Sequence, residues 1–209
     1  MKNKVTIIDL QIGNLGSISN MIKKLGGKPI ITSDYSIIED SEKIILAGVG
    51  AFDSAMKKIH DLNLFNLIQT KAKIDKIPFW GICLGMQLLT KRSMEGSLDG
   101  LNLIDAETIS FRKEFNTRNI NEKIPHMGWN HVINVNESLF TKSQLLDSKF
   151  YFVHSYFVKC NLSKNIIMKT HYGIDFHSAI GKDNIFGTQF HPEKSHKYGF
   201  KLFENFLNI

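Results

Sequence analysis

Cysteine is nearly absent from this chain. Only Cys83 and Cys160 occur among 209 residues, too few for a disulfide framework, and such sparseness suits a reducing compartment. Proline is scarce as well, at four residues, and gathers into no linker or low-complexity tract. No apolar run approaches the length of a bilayer span, which argues against a membrane-embedded chain. The opening stretch, residues 1–9, has too short an apolar part for a secretory signal and no small-residue cleavage site, so a cytoplasmic location is expected. The net charge is +6, yet no basic run reaches five residues and no basic stripe alternates with aromatics. Lysines such as Lys23, Lys24, Lys57, Lys58, Lys71 and Lys73 fall where amphipathic helices would face water, so no nucleic-acid partner is expected.

What is present reads as α/β. Hydrophobic residues at 43% and charged residues at 22% are ordinary for a globular chain, and the length suits one domain over residues 1–209. Residues 4–9 form a β-branched first strand ending at Asp9. Ile18, Met21, Ile22 and Leu25 recur at helical spacing over residues 17–25 and are closed by Gly26-Gly27. Residues 29–32 and 43–46 read as further strands, residues 53–73 as one long amphipathic helix, residues 77–82 as a strand and residues 84–91 as a helix. Strands alternating with helices through short glycine-rich links point to a mostly parallel central sheet flanked by helices, with chemistry at the carboxyl ends of the strands. Beyond residue 97 the texture changes. Residues 101–111, 124–135, 150–160, 165–170 and 176–190 read as strands with little helix between them, a hairpin turning at residues 181–184. These are expected to add antiparallel strands before a closing helix over residues 195–209.

The stretch that carries chemistry is Phe79-Trp80-Gly81-Ile82-Cys83-Leu84-Gly85. A buried strand runs into a Gly-x-Cys-x-Gly turn and then a helix, the form of a nucleophile elbow with sulfur in place of oxygen. Gly81 and Gly85 allow the sharp reversal; a helix N-terminus and any neighbouring imidazolium would favour the thiolate. The alternative is an inert cysteine on a core strand. A thiolate nucleophile needs a base, and the base an orienting partner. Of eight histidines, His191 sits best, where a strand ends in Phe190-His191-Pro192-Glu193. Were residues 191–193 extended, His191 and Glu193 would point to the same side. Acyl transfer also needs donors for an oxyanion. The Leu84 amide, directly after the nucleophile, and the Gly48-Val49-Gly50 loop are the candidates, with Val49 and Gly50 placing backbone N–H groups near the substrate. That loop lacks the lysine and the spacing of a phosphate loop.

These residues resemble class I glutamine amidotransferases: the elbow, the Phe190–Ser195 stretch and the Gly48–Phe52 loop. The segments Pro125-His126-Met127-Gly128-Trp129-Asn130 and Tyr151-Phe152-Val153-His154-Ser155-Tyr156 are similar to one branch of the family, the glutaminase subunits of imidazole glycerol phosphate synthase. The resemblance runs over nearly the whole chain. It implies hydrolysis of L-glutamine, with Cys83 attacking the side-chain amide, His191 moving the proton and Glu193 orienting His191. Gln87, Glu95, Ser155 and Tyr156, with the Gly50 backbone, would line the glutamine pocket, and His154 would be structural. It brings in no cofactor and no metal. It implies a heterodimer with a (βα)8-barrel synthase subunit, HisF, that takes the ammonia directly, with Met127, Trp129 and Asn130 facing it. Three places depart from the family's pattern: Ala47 where proline is usual, Leu10-Gln11 where Tyr-Gly is usual, and Met94 where glutamate is usual. Residues 193–199 also resemble relatives that feed ammonia to a sugar amidotransferase in surface-polysaccharide synthesis, which remains an alternative. A catalytically silent partner-binding scaffold is the other.

Overall fold

The computed structural model describes residues 3–142 and 147–209; Met1 and Lys2 of the opening stretch lie outside them. The strands are β1 (Lys4–Ile8), β2 (Lys28–Thr32), β3 (Ile44–Gly48), β4 (Phe79–Cys83), β5 (Ala106–Ser110) and β6 (His126–His131). They continue as β7 (Ile133–Asn134), β8 (Lys149–His154), β9 (Tyr156–Cys160), β10 (Ile166–Tyr172), β11 (Ile174–Lys182) and β12 (Ile185–Thr188). The α-helices are α1 (Leu15–Lys24), α2 (Tyr35–Glu39), α3 (Phe52–Asp61), α4 (Leu64–Gln69), α5 (Leu84–Leu88), α6 (Phe111–Arg118) and α7 (His196–Asn208).

The main sheet runs β2-β1-β3-β4-β12-β11-β10-β7, with β9 pairing β11 and β5 pairing β9; β6 and β8 form a separate antiparallel pair. Its first five strands are parallel and the rest antiparallel, so the mixed sheet expected from the sequence is observed. The period-two alternation of the central strands sorts their side chains into two cores. Val5, Ile7, Ile45, Trp80 and Ile82 pack with Ile18 and Ile22 of α1 and with Phe203 and Phe206 of α7. Ile8, Ile44, Leu46 and Phe79 pack on the opposite face with Ala55, Met56 and Ile59 of α3, Leu67 of α4 and Leu88 of α5. Trp80 anchors the first core, its ring against Phe140, Phe203 and Phe206. Its indole N–H donates to the Thr188 hydroxyl across the β4–β12 pair (3.1 Å). Among the described residues no helix is long and apolar enough to cross a membrane.

Several expectations need correction. The single helix over 53–73 is broken at Asn63, which takes a left-handed conformation (φ 56°) between α3 and α4, and the chain continues as a π-helical turn over Thr70–Ile74. Asparagine tolerates that region better than most residues, and the hydrophobic period does not reveal it. The segment 101–111 is a strand only over β5; Leu101, Leu103 and Ile104 before it are buried in a loop whose amides bond to Leu88 and Leu89. Helix α6 was not foreseen, and it follows β5 directly, seating Phe111 and Phe115 one turn apart in the core. The run 150–160 is two strands parted at Ser155, and the run 124–135 likewise divides into β6 and β7.

Candidate active site

Register alone brings the two halves of the site together. Strands β4 and β12 are neighbouring and parallel, with Gly187 beside Gly81 and Thr188 beside Ile82. Strand β4 therefore delivers Cys83 and β12 delivers His191 at the same edge, although 108 positions separate them in sequence (191 − 83). On the other side of β4, Gly48 pairs with Cys83, which sets the Gly48–Gly50 loop beside the sulfur.

Cys83 stands where the strand reverses into α5, with φ 55° and ψ −110°, a strained conformation for a residue with a side chain. Two glycines permit the turn. A Cβ on Gly81 would lie 2.5 Å from the Gly85 carbonyl oxygen, and one on Gly85 would collide with the Leu46 carbonyl oxygen. The sulfur is not lost in the core. It lines a cleft of about 390 Å³ together with Val49, Gly50, Leu84, Gln87, Glu95, Pro125, Val153, His154, Ser155 and Tyr156. Every residue expected to bind substrate or to supply an oxyanion donor is in that lining. A larger hollow of about 620 Å³ along residues 134–142 shares none of them.

His191 is buried, and its Nδ1 lies 2.8 Å from Glu193 Oε1. The contact is made differently from expectation. Residues 192–194 form a 3-10 turn rather than continuing extended, and Pro192 starts it. The turn is pinned from several sides: the His191 amide donates to the Tyr151 carbonyl (2.8 Å) and the Ser195 hydroxyl donates to the His191 carbonyl (2.6 Å). Gly199 of α7 presses so closely on the Pro192 carbonyl that no Cβ fits. The Nε2 of His191 is buried with no hydrogen bond inside the fold, and Cys83 is the group that acts on it. Burial by itself lowers the imidazole's pKa; Cys83 and Glu193 outweigh it and raise the value to about 10.

The other sequence candidates fall around the cleft. Gln87 is buried and its amide donates to the Tyr156 carbonyl (3.3 Å) and to Gln189 Oε1 (3.2 Å). Glu95 Oε2 accepts the Phe52 amide (2.9 Å). Its pKa is raised, chiefly by burial, with the Phe52 bond opposing and Asp53 adding to the rise. The Asp53 carboxylate, which sequence reasoning missed, receives the amides of Ser97 and Leu98 and so fixes the loop that carries Glu95. His154 is taken up within the fold, its Nδ1 2.7 Å from the Tyr156 carbonyl and its Nε2 2.9 Å from His126 Nδ1. Burial, with His126 beside it, lowers its pKa to about 3. It is not a free base. On β6, Met127 and Trp129 are exposed, Trp129 stacking on His196 at 5.5 Å. Asn130 sits on the opposite face of that strand, its amide turned inward to the His171 carbonyl and to His126. Gln189 was also overlooked as a site residue. It is fully buried, with Nε2 3.9 Å from the Cys83 sulfur, and its only sequence signal is its place two residues before His191.

A strained thiol at a strand–helix elbow, a buried His–Glu pair and an open cleft thus stand side by side. The class-I glutamine amidotransferase family model matches residues 6–209, and the chain belongs to that family. Within it, similar proteins include imidazole glycerol phosphate synthase subunits HisH. The HisH 2 of Methanococcus maripaludis is 49% identical over 203 residues, covering 97% of this chain and 98% of that protein. The HisH 2 of Pseudomonas aeruginosa is 40% identical over 205 residues, covering 98% and 99%. A crystal structure of a glutamine amidotransferase superposes with a TM-score of 0.74 over 98% of this chain and 99% of that one; at 13% identity it speaks for the fold alone.

Proposed function

We propose that this chain is the glutaminase subunit of an imidazole glycerol phosphate synthase, hydrolysing L-glutamine to glutamate and ammonia for a synthase partner. One observation carries the chemistry: a His191 ring oriented by Glu193, with its other nitrogen unbonded inside the fold beside the Cys83 thiol. Glutamine enters the cleft with its α-amino group on Glu95, whose raised pKa falls back once an ammonium pairs with it. The Cys83 sulfur attacks the side-chain carbonyl carbon. The oxyanion is received by the backbone N–H groups of Leu84 and of the Val49–Gly50 loop, donors typically worth about 3 kcal/mol each to a transition state. His191, protonated from the thiol, returns the proton to the departing nitrogen, and the C–N bond breaks to leave a glutamyl thioester and ammonia. Water, deprotonated by His191, then cleaves the thioester. Glu193 stabilises the imidazolium throughout.

Ammonia released into water is protonated and loses its nucleophilicity, so direct transfer to a docked subunit follows from the chemistry. The relatives' names describe a synthase subunit, which supports a partner subunit; on this reading that partner is a barrel, HisF, seated over the cleft and touching the exposed Met127 and Trp129. The enzyme would then work in the cytoplasm. A second reading keeps the glutaminase and changes the acceptor. It rests on residues 193–199, which resemble relatives that feed ammonia to a sugar amidotransferase. Glutamate release by the chain mixed with its own organism's barrel subunit, measured with and without the acceptor substrate, tests both readings. Stimulation by that subunit, lost in Cys83→Ala while added ammonium still supports the partner, fits the first. Glutamate release stimulated only by a sugar amidotransferase favours the second. An unaltered rate in Cys83→Ala would overturn the thioester chemistry.

A further inference from the structure

Behind the sulfur runs an unbroken line of hydrogen bonds whose polarity is fixed at both ends. Carbonyl oxygens only accept, so Asn130 must turn its Nδ2 to the His171 carbonyl (2.9 Å), and Asn130 Oδ1 takes the His131 amide (2.8 Å). The same Nδ2 is 3.2 Å from His126 Nε2, which is therefore the acceptor, leaving the proton on His126 Nδ1. That proton faces His154 Nε2 at 2.9 Å, so His154 carries its own proton on Nδ1, where it reaches the Tyr156 carbonyl (2.7 Å). The Gln87 amide donates to the same carbonyl and to Gln189 Oε1. Gln189 is thereby left with one orientation, its N–H toward Cys83. A second proton on either ring would set donor against donor, and burial keeps both rings neutral, His126 at about 4 and His154 at about 3.

We propose that Gln189 is a positioning residue for the nucleophile, presenting an amide N–H to the Cys83 sulfur because Gln87, whose amide must donate to the Tyr156 carbonyl, leaves Gln189 only one arrangement of donor and acceptor. An N–H directed at sulfur favours the thiolate over the thiol. Every side chain from His126 to Gln189 in this line is buried, so water does not compete for the bonds. This deepens the glutaminase reading and rests on Cys83 being its nucleophile.

Alkylation of Cys83 by iodoacetamide, followed against pH by mass spectrometry on the full chain, tests the proposal. It needs no glutamine, so a wild-type complex that released no glutamate would sink the glutaminase reading and leave this test readable. Gln189→Met removes the N–H at similar length. It should slow alkylation at neutral pH about tenfold and move the half-maximal pH up by about one unit, the scale of one hydrogen bond to a charged acceptor. Gln189→Glu keeps the acceptor toward Gln87 and replaces the N–H by a carboxylate, so it should move the profile further in the same direction. A profile unchanged in both variants overturns the proposal, since a merely structural glutamine would not set it. NMR of the wild-type Gln189 side-chain amide gives a second measurement that depends on no variant folding: its proton shifts should move as Cys83 ionises, and shifts that stay fixed through that ionisation overturn the proposal.

Discussion

At the scale of single residues, the two cysteines show how environment divides one chemistry into two fates. Cys83 lines the cleft beside His191, whereas Cys160 is buried in β9 and burial, with Asp105 nearby, pushes its pKa up to about 12. Cys160 is therefore a thiol at any physiological pH and a poor nucleophile. Substituting Cys160 by serine should leave glutamate release within about twofold of wild type, because Cys160 lines no part of the cleft and is a poor nucleophile. His191→Ala should instead lower kcat by at least about a hundredfold, the lower range for a lost general acid–base. A His191→Ala enzyme with wild-type kcat in a steady-state glutaminase assay would remove His191 from the mechanism. Both residues were legible in the sequence, because Gly-x-Cys-x-Gly and His-Pro-Glu are short local patterns. Gln189, Asp53 and the His126–His154 pair were not. Gln189 meets Gln87 of α5, Asp53 of α3 meets the Ser97–Leu98 loop and His126 meets His154 across β6 and β8, and no local spacing announces those partners.

At the scale of elements, the elbow depends on backbone passing backbone. Strand β3 crosses so near the start of α5 that a methyl group on Gly85 has no room beside the Leu46 carbonyl. Gly85→Ala should cost about 1–3 kcal/mol of stability, the range for inserting a methyl group into a filled space, and should lower activity by shifting Cys83. Urea denaturation checks this, and a midpoint equal to wild type would contradict it. The succession of strands and helices was legible in outline for the same reason the elbow was: β-branched runs alternate with helical periods over residues 4–91. The break at Asn63 and the helix α6 escaped that reading, because one left-handed residue and an eight-residue helix leave little periodic signal. The inward turn of Asn130 follows from period two along β6, which sets it opposite Met127 and Trp129. Trp129→Ala should accordingly weaken partner binding more than tenfold, as aromatic hot spots of about 2 kcal/mol do. Titration calorimetry with the proposed barrel partner measures it, and unchanged affinity would remove Trp129 from the interface.

At the scale of the whole molecule, burying neutral imidazoles ties stability to pH. Burial lowers His126 to about 4 and His154 to about 3 from 6.5. The unfolded chain then binds more protons than the folded one below about pH 6.5, so stability falls as pH drops. The contribution is full above about pH 6.5 and declines by up to about 1.4 kcal/mol per pH unit per ring toward pH 4. His191 has the opposite sign: its raised pKa adds stability that is complete below about 6.5 and fades as pH rises toward 10. Urea midpoints should therefore peak near neutrality, and a midpoint that keeps rising from pH 6.5 down to about 4.5 would contradict this assignment.

On the proposed function one thiol, Cys83, acts on glutamine in the cleft between the Gly48–Gly50 loop and Tyr156. Labelling the full chain, bound to its partner subunit, with a glutamine analogue that carries an electrophilic ketone tests that most directly. Peptide mapping should find one adduct, on Cys83, suppressed by excess glutamine and absent from Cys83→Ala. An adduct on Cys160 instead, or glutamate release that continues undiminished once Cys83 is fully labelled, would contradict it.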